Sequence, residues 1–409
     1  MSARAAAARL STFAALTGRD YCLYWLGLVC YVLGHRAEYM TFAWITWEMS
    51  GDALTLGYLG LAQGVPLVLF QLYGGVLADR VNRLRLLIVT QAVIAVILGL
   101  AFCLTVSGRM RIEYLLALAA LSSVFRAFDE PSRMALIPEL VSRENLPNAI
   151  ALGNIPWQAG RMVGPSLTGI LIAAFGGSIG FALAAGTSCI ALMLYARLRV
   201  SAGAPPDDGR HVGQQFAEGV GFVARNFVFA SLVGLALFNS LFAMSYLTLL
   251  PIFADAYFKA GSTGYGLLSA AHGAGALCAS LTIATLSHLI LRRGTALLVG
   301  ATCLGGLLMA FALVPTMAVA LPVLVLVGFA NTFYLTHVGT FLQEQVPDQL
   351  RGRVMSIYSL CWNLMPLGGL IAGALAAAVS ARFAVLVGGA AVAVNALCLF
   401  TSRRLRAIS

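Results

Sequence analysis

The chain has 409 residues, of which 60% are hydrophobic and only 10% are charged, and its formal net charge is +10. A globular domain carries about 25% charged residues, so this composition excludes an ordinary water-soluble domain. Apolar stretches of roughly 20 residues are long enough to cross a bilayer as helices, and those of this chain lack the period-2 alternation of a membrane β-barrel. We therefore predict an all-α integral membrane protein.

The apolar stretches predict about twelve transmembrane helices. They lie near residues 21–48, 53–78, 86–106, 112–132, 147–174, 178–198, 227–254, 264–286, 295–315, 318–341, 354–379 and 383–401. The stretches alternate with short polar links, so we expect the chain to cross the membrane repeatedly.

Cationic residues are distributed unequally over the links. If the N-terminus is cytoplasmic, twenty of the 26 Lys and Arg residues fall on the cytoplasmic side and four on the opposite side. Membrane proteins concentrate cations on the cytoplasmic side, so both termini are predicted to be cytoplasmic. This topology explains most of the net charge without a nucleic-acid partner. The predominance of Arg over Lys is typical of a GC-rich bacterial genome, which favours a bacterial inner membrane.

The first stretch contains polar residues that are costly to bury in a membrane. Tyr31, His35 and Glu38 follow at spacings of four and three, so they share one face of a helix. We interpret Glu38 and His35 as proton-coupling candidates, because a mid-span carboxylate can change its charge state when substrate arrives. A static ion pair of Glu38 with Arg36 or Arg161 is the alternative. Tyr31 and Arg36 are also candidates for lining a substrate cavity.

A short link rich in charge follows the second stretch. Asp79 and Arg80 stand four and five residues after Gly75, and Arg83 follows them. This pattern resembles the G-x-x-x-D-R-x-G-R-R signature of the major facilitator superfamily. The resemblance implies that Gly75, Asp79, Arg80 and Arg83 belong to a conformational gate. Asn82 stands where the superfamily has Gly, and we expect it to allow the turn because Asn tolerates left-handed backbone angles.

Charges of alternating sign end the predicted fourth span. Arg126, Asp129, Glu130 and Arg133 alternate in sign at spacings of three and four, which predicts a charge ladder near the cytoplasmic end of the helix. The resemblance implies that this ladder belongs to the gate beside Asp79. Residues 114–125 contain no cation, so we expect the mid-helix Arg of many proton antiporters to be missing. That absence shifts the predicted coupling role to the first and fifth spans.

The predicted fifth span carries a polar stripe. Asn154, Gln158 and Arg161 follow the i, i+4, i+7 pattern and share one helical face. We expect Asn154 and Gln158 to line a substrate cavity. Arg161 is predicted to hold either an anionic group of the substrate or the Glu38 carboxylate, which makes it a third proton-coupling candidate.

A second motif on the same span consists of Gly160, Gly164, Pro165 and Gly169. It resembles the G-x-x-x-G-P-x-x-G-G motif of drug and metabolite exporters in the superfamily. Small residues four apart let a neighbouring helix approach closely, and Pro165 removes one backbone donor and bends the helix. Plain helix packing is the alternative interpretation, because small residues at this spacing are common in membranes.

Residues 199–226 form the only long polar segment and divide the chain into two predicted six-helix halves, 1–198 and 227–409. Phe216 and Val220 recur at helical spacing within the segment, which predicts a short amphipathic helix at the cytoplasmic surface. The superfamily is built from six-helix repeats, so the resemblance implies a substrate site near the bilayer midplane.

Scattered polar and aromatic residues mark the second half. Asn331, Tyr334 and His337 follow the i, i+3, i+6 pattern, so they roughly share a face. We regard them as the best substrate-cavity candidates of this half. A helix-packing hydrogen bond is the commoner role of any such residue taken alone.

The residues from Phe128 to Val141, followed by Arg143 to Ile150, are similar to the branch of the superfamily that contains the enterobactin exporter and the macrolide efflux proteins. That resemblance implies a secondary active transporter that exports a drug or siderophore-like metabolite by alternating access and proton antiport. The expected partners are a small-molecule substrate, protons and the lipid bilayer, and we expect a monomer. An uptake symporter, a lipid translocator and a non-transporting membrane sensor stay open as alternatives.

The sequence gives no indication of an enzyme. No His, Cys and carboxylate residues stand at metal-ligand spacing, and no nucleophile elbow or phosphate loop occurs. We therefore expect neither a metal nor a cofactor.

Overall fold

The computed structural model describes residues 13–199, 220–286 and 293–406, and within these ranges the chain contains helices and no strands. The first half has a 3-10 turn at Ala14–Thr17 and six helices: α1 Arg19–Ser50, α2 Ala53–Arg80, α3 Arg83–Val106, α4 Ile112–Leu140, α5 Leu146–Phe175 and α6 Ser178–Tyr195.

The second half begins with a helix interrupted by two π-helical turns. It consists of α7 Phe227–Phe238, a π turn at Asn239–Ala243, α8 Tyr246–Ile252 and a π turn at Phe253–Tyr257. The chain continues with α9 Gly261–Leu286, α10 Arg293–Leu313, α11 Met317–Gln345, α12 Asp348–Asn363, α13 Met365–Ala378, α14 Ala381–Phe400 and α15 Arg403–Arg406. Each predicted span contains at least one helix, and the prediction of an all-α fold is confirmed for the described ranges.

Nine helical stretches in the described part are long and apolar enough to cross a membrane. Helices α1, α4 and α5 fall outside this group although they have 32, 29 and 30 residues. Polar residues interrupt their apolar sequences, and most of the residues predicted to be functional in the first half lie on these three helices.

Helix α4 is longer than predicted. It continues to Leu140, with Pro131 and Pro138 inside it, so the predicted end at residue 132 is wrong. Membrane helices tolerate an internal Pro because neighbouring groups satisfy the backbone that the Pro leaves unpaired. Consequently Arg126 lies at the middle of α4 and not near its end.

The turn between α2 and α3 does not use the left-handed backbone expected of Asn82. Asn82 has a φ of −61° and acts as the N-cap of α3, with its Oδ1 accepting a hydrogen bond from the backbone N–H of Arg85. Asn is among the preferred N-cap residues because its side chain satisfies one of the free backbone donors of the first turn. The sequence departs from the superfamily pattern here without losing a well-formed helix start.

Contacts divide the chain into two compact units, Met1–Ile45 with Val65–Asp208 and Thr46–Gly64 with Gly209–Ser409. In the first unit, α3 packs against α4 and α6, and α1 packs against α5. The predicted domain boundaries at residues 198 and 226 stay a prediction. Residues 220–225 are helical, and the rest of the predicted amphipathic helix lies outside the described residues.

In the second unit, α9 packs closely along α11. A Cβ on Gly275 would meet the carbonyl oxygen of Val325, and a Cβ on Gly328 would meet that of His272. Only glycine allows two helix backbones to approach in this way. The Tyr246 hydroxyl lies 2.9 Å from His272 Nδ1, which links α8 to the same crossing.

Candidate functional site

Glu38 on α1 forms a buried ion pair with Arg126 on α4. Arg126 Nη2 contacts Glu38 Oε2, and Ser122, one turn earlier on α4, donates a hydrogen bond to Glu38 Oε1. Glu38 is 3% exposed and Arg126 is 8% exposed. Both carboxylate oxygens of Glu38 therefore have a partner on α4.

The alternative of a static pair between Glu38 and Arg36 or Arg161 is wrong, because the partner of Glu38 is Arg126. Arg126 stands at the midpoint of α4, which extends to Leu140, and contacts Glu38 there. The expectation that α4 lacks a mid-helix Arg is wrong for the same reason. Residues 114–125 contain no cation, but residue 126 supplies one.

A second buried ion pair, between Asp129 and Arg133, lies one turn farther along α4. From α3, Gln91 Nε2 donates to Asp129 Oδ1 at 2.7 Å and Thr90 Oγ1 donates to the same oxygen at 3.4 Å. Asp129 is 0% exposed and Arg133 is 4% exposed. The predicted charge ladder is thus divided. Arg126 pairs with α1, Asp129 and Arg133 pair with each other beside α3, and Glu130 is exposed.

The Tyr31 ring on α1 lies between these two pairs. Arg133 Cζ is 3.3 Å and Arg126 Cζ is 5.4 Å from the ring centroid, distances at which a cation is attracted to the face of an aromatic ring. The His35 ring stacks on Tyr31 at 6.0 Å, and the Trp157 ring of α5 meets Tyr31 edge-on at 5.9 Å. These aromatic rings connect both ion pairs to α5.

Gly160 and Gly164 form the surface of α5 on which α1 packs. A Cβ on Gly164 would lie 2.5 Å from Arg36 Cβ, and a Cβ on Gly160 would meet Val32 Cγ1. Pro165 and Gly169 are buried in the same helix. The contacts give this motif a packing function, and the exporter function implied by its resemblance stays a prediction.

Gly164→Ala is expected to lower the apparent melting temperature of the purified protein. Its new methyl group overlaps Arg36 Cβ, and overpacking of this kind costs about 1–3 kcal/mol. Gly153→Ala on the same helix is the matched control, because a Cβ at Gly153 has no neighbour within 4 Å. It should leave the melting temperature unchanged or raise it, since Ala is favoured over Gly in helices by about 1 kcal/mol. Equal melting temperatures of the two variants would contradict the packing function.

The polar stripe of α5 remains largely open. Asn154 and Arg161 are exposed and Gln158 is partly buried. Within the described residues, neither Arg36 nor Arg161 forms an ion pair with a carboxylate. The exposed Asn154 and Arg161 are therefore accessible to a ligand, whereas Glu38 already has its counter-ion.

The predicted gate is described only in part. Arg83 Nη1 pairs with Glu139 Oε1 at 2.6 Å and also donates to the carbonyl oxygen of Ala135 at 3.2 Å, which ties the start of α3 to the end of α4. The side chains of Asp79 and Arg80 and the environment of Gly75 lie outside the described residues. Their gating function stays a prediction.

The candidates of the second unit lie on α11. Tyr334 is fully buried and donates its hydroxyl hydrogen to the carbonyl oxygen of Leu235 on α7 at 3.2 Å. His337 Nδ1 lies 2.7 Å from the carbonyl oxygen of Phe333 on its own helix. Asn331 is 4% exposed, and its Oδ1 has no hydrogen-bond partner among the described residues. Tyr334 thus joins two helices, and Asn331 keeps an unused acceptor.

Four residues that contact the two buried ion pairs or the Tyr31 ring were not predicted from the sequence, namely Thr90, Gln91, Ser122 and Trp157. Gln91 carries the clearest sequence signal, because an amide side chain stands within an otherwise apolar stretch. Ser122 carries none, since a Ser in a membrane helix ordinarily bonds to its own backbone. In the described residues, no group of three His, Cys, Asp or Glu side chains is placed to hold a metal ion.

Residues 10–409 match the model of a family described as transmembrane secretion effector, MFS_3. The match covers nearly the whole chain. The protein belongs to this family. As the charged link from Gly75 to Arg83 indicated, it is a multi-pass membrane transporter of the major facilitator type and not an enzyme.

Several characterised relatives align with this family member over most of their length. The multidrug efflux pump Tap of Mycolicibacterium fortuitum is 26% identical over 84% of this chain and 86% of its own. The staphyloferrin A transporter of Staphylococcus aureus is 23% identical over 83% and 85%. The enterobactin exporter EntS of Salmonella choleraesuis is 28% identical over 82% and 78%.

Solved structures of other transporters share the fold. A bacterial homologue of the human lysosomal transporter Spinster, inward-facing and unoccupied, has a TM-score of 0.74 at 16% identity and covers 95% of this chain and 97% of its own. The nucleoside transporter NupG has a TM-score of 0.72 at 15% identity, with 94% and 98% covered. These similarities confirm the predicted membrane fold.

Proposed function

We propose that this transporter is a secondary active exporter that moves a medium-sized organic molecule out of the cell in exchange for protons. The Glu38–Arg126 pair is the observation that carries the proposal, because it buries a carboxylate and a guanidinium between α1 and α4. Charged groups inside a membrane are costly, and those that proteins keep there mark ion and substrate pathways.

Protonation of Glu38 supplies the coupling step. A proton on Glu38 removes the negative charge of the pair and leaves Arg126 without its counter-ion, with the Tyr31 ring centroid 5.4 Å from Arg126 Cζ. The two charge states of Glu38 therefore differ in the contacts that hold α1 to α4. A ligand that binds one arrangement better than the other shifts the equilibrium between them, which is how alternating access is driven.

His35 and Arg161 complete the proposed coupling site. His35 lies one helical turn before Glu38, and its Nδ1 is buried with no hydrogen-bond partner among the described residues. A neutral imidazole nitrogen in this position can accept a proton and pass it towards Glu38. Arg161 contributes a positive charge on the open stripe of α5.

The remaining candidates divide into a substrate face and a gate. We assign substrate contact to Tyr31, Arg36, Asn154 and Gln158, with Asn331, Tyr334 and His337 in the second unit. We assign the gate to Gly75, Asp79, Arg80, Arg83, Arg126, Asp129 and Arg133, where the Arg83–Glu139 contact already joins α3 to α4.

The direction of transport and the location of the protein are supported by its relatives and by its charge distribution. Tap and EntS are an efflux pump and an exporter by name. We therefore propose export across a bacterial inner membrane by a monomer with both termini in the cytoplasm. The concentration of Arg on the cytoplasmic links supports this orientation.

Accumulation of a panel of drugs and siderophores in efflux-deficient cells tests the proposal. Cells that express the native protein should accumulate less of at least one compound than cells without it, and an uncoupler should abolish the difference because it removes the proton gradient. Greater accumulation in expressing cells would indicate uptake instead. Exclusion that survives the uncoupler would contradict proton coupling.

A further inference from the structure

Among the residues that the structure describes, Arg36 on α1 and Arg161 on α5 form no ion pair with a carboxylate. Three carboxylates of the first unit pair with other Arg residues: Glu38 with Arg126, Asp129 with Arg133 and Glu139 with Arg83. The Nε of Arg36 is buried and has no hydrogen-bond partner among the described residues. An unpaired cation in a membrane helix is costly, which calls for a counter-ion from outside the chain.

The Arg36 and Arg161 side chains both start at the place where α1 crosses α5. The stem of Arg36 lies on Gly164, and its Cγ would be 4.0 Å from a Cβ on Gly160. Arg161 lies between these two glycines in sequence, so it projects from the turn of α5 that Arg36 covers. The close packing at Gly160 and Gly164 therefore brings together two like charges that repel each other unless an anion is present.

Hydrogen-bonding and aromatic groups surround this crossing. Gln158 and Asn154 lie on the same face of α5 as Arg161, one and two helical turns earlier, respectively. Trp157 lies one turn before Arg161 and contacts the rings of Tyr31 and His35. The crossing thus combines cationic, amide and aromatic side chains in one part of the first unit.

We propose that Arg36 and Arg161 bind an anionic group of the cargo and that the exported molecule is therefore an organic anion with an aromatic or apolar body. Arg presents a planar fork of donors that matches a carboxylate, sulfonate or phosphate with two parallel hydrogen bonds. Arg161 is exposed and meets the anion first, whereas Arg36 is partly buried and holds it at the helix crossing. This inference rests on the proposed export function for the identity of the site as a cargo site.

Thermal unfolding of the purified full-length protein in detergent tests the anion site directly. The probe is naphthalene-2,6-dicarboxylate, and its neutral dicarboxamide of the same shape is the matched ligand control. A ligand that binds only the folded protein raises its melting temperature, and the rise grows with the ratio of the ligand concentration to its Kd. We expect the dicarboxylate at millimolar concentration to raise the melting temperature by several degrees and the dicarboxamide to have little effect.

Variants of Arg36 and Arg161 test whether these residues cause the rise in melting temperature. Arg36→Gln and Arg161→Gln should each weaken the apparent affinity for the dicarboxylate by about tenfold or more, because each removes a charge-assisted hydrogen bond. Arg109→Gln, which removes an exposed cation in the loop between α3 and α4, should leave the shift as in the native protein. The melting temperature of Arg109→Gln without ligand also shows whether loss of an exposed Arg alone alters folding.

Three results would overturn the anion site. They are an equal shift with the dicarboxamide, a shift that survives in both Arg36→Gln and Arg161→Gln, and no shift with the dicarboxylate in the native protein. The assay uses no membrane and no gradient, so it is independent of the efflux test. A protein that binds the dicarboxylate through these residues but excludes no compound from cells would refute export and leave the anion site in place.

Discussion

Glu38→Gln is expected to abolish uphill transport while leaving exchange of substrate across the membrane intact. Gln at position 38 resembles the protonated carboxyl group but cannot release a proton, so the variant is held in one of the two states that coupling requires. In proteoliposomes with an imposed pH gradient, the native protein should concentrate a substrate identified by the efflux panel. The variant should bring it only to equal concentrations on both sides.

Two controls separate coupling from folding. Glu38→Gln leaves the buried Arg126 without a counter-ion, and breaking a buried pair by removing one partner costs about 3–5 kcal/mol. The double variant Glu38→Gln/Arg126→Gln removes both charges and should recover most of that stability, yet remain uncoupled. Glu130→Gln removes an exposed carboxylate from α4 and should transport normally. Concentrative transport by the double variant would show that the pair is structural only.

Asp129→Ala is expected to cause a large loss of stability. Asp129 is the counter-ion of the buried Arg133 and also accepts hydrogen bonds from Gln91 and Thr90. Its removal leaves a buried cation and at least one buried amide donor unpaired, at a cost of about 3–5 kcal/mol. The apparent melting temperature in detergent should fall sharply, with a corresponding loss of protein in the membrane.

The neighbouring acidic residue provides the comparison for this prediction. Glu130→Ala changes the same type of side chain on the same helix, but Glu130 is exposed. Surface substitutions of this kind usually change the free energy of unfolding by less than about 0.5 kcal/mol. Similar melting temperatures for Asp129→Ala and Glu130→Ala would contradict the role of Asp129 as the central acceptor between α3 and α4.

Apolar length and local spacing were sufficient to predict the helices and some of their internal contacts. The four-residue spacing of Tyr31 and His35 places both rings on one helical face, and their stacking needs no information from another helix. The apolar stretches themselves located the helices because a membrane requires every backbone hydrogen bond to form within the segment.

Contacts between distant helices were beyond the sequence analysis. The pairing of Glu38 with Arg126 depends on how α1 packs against α4, and residue spacing within either helix does not determine that packing. The position of Arg133 over Tyr31 depends in turn on the crossing of α1 and α4. Arg36 and Arg161 were plausible partners by spacing, but the packing of α5 against α1 leaves both without a carboxylate in the described part of the chain.

Proton movement caused by substrate is the most direct measure of the central claim. Everted membrane vesicles that contain the protein are acidified inside by respiration, and the fluorescence of a pH-sensitive acridine dye reports the gradient. Addition of a transported compound should dissipate part of the gradient in vesicles with the native protein and none in vesicles with Glu38→Gln. A compound that the native protein transports without dissipating the gradient, or an equal response in the variant, would contradict proton antiport through Glu38.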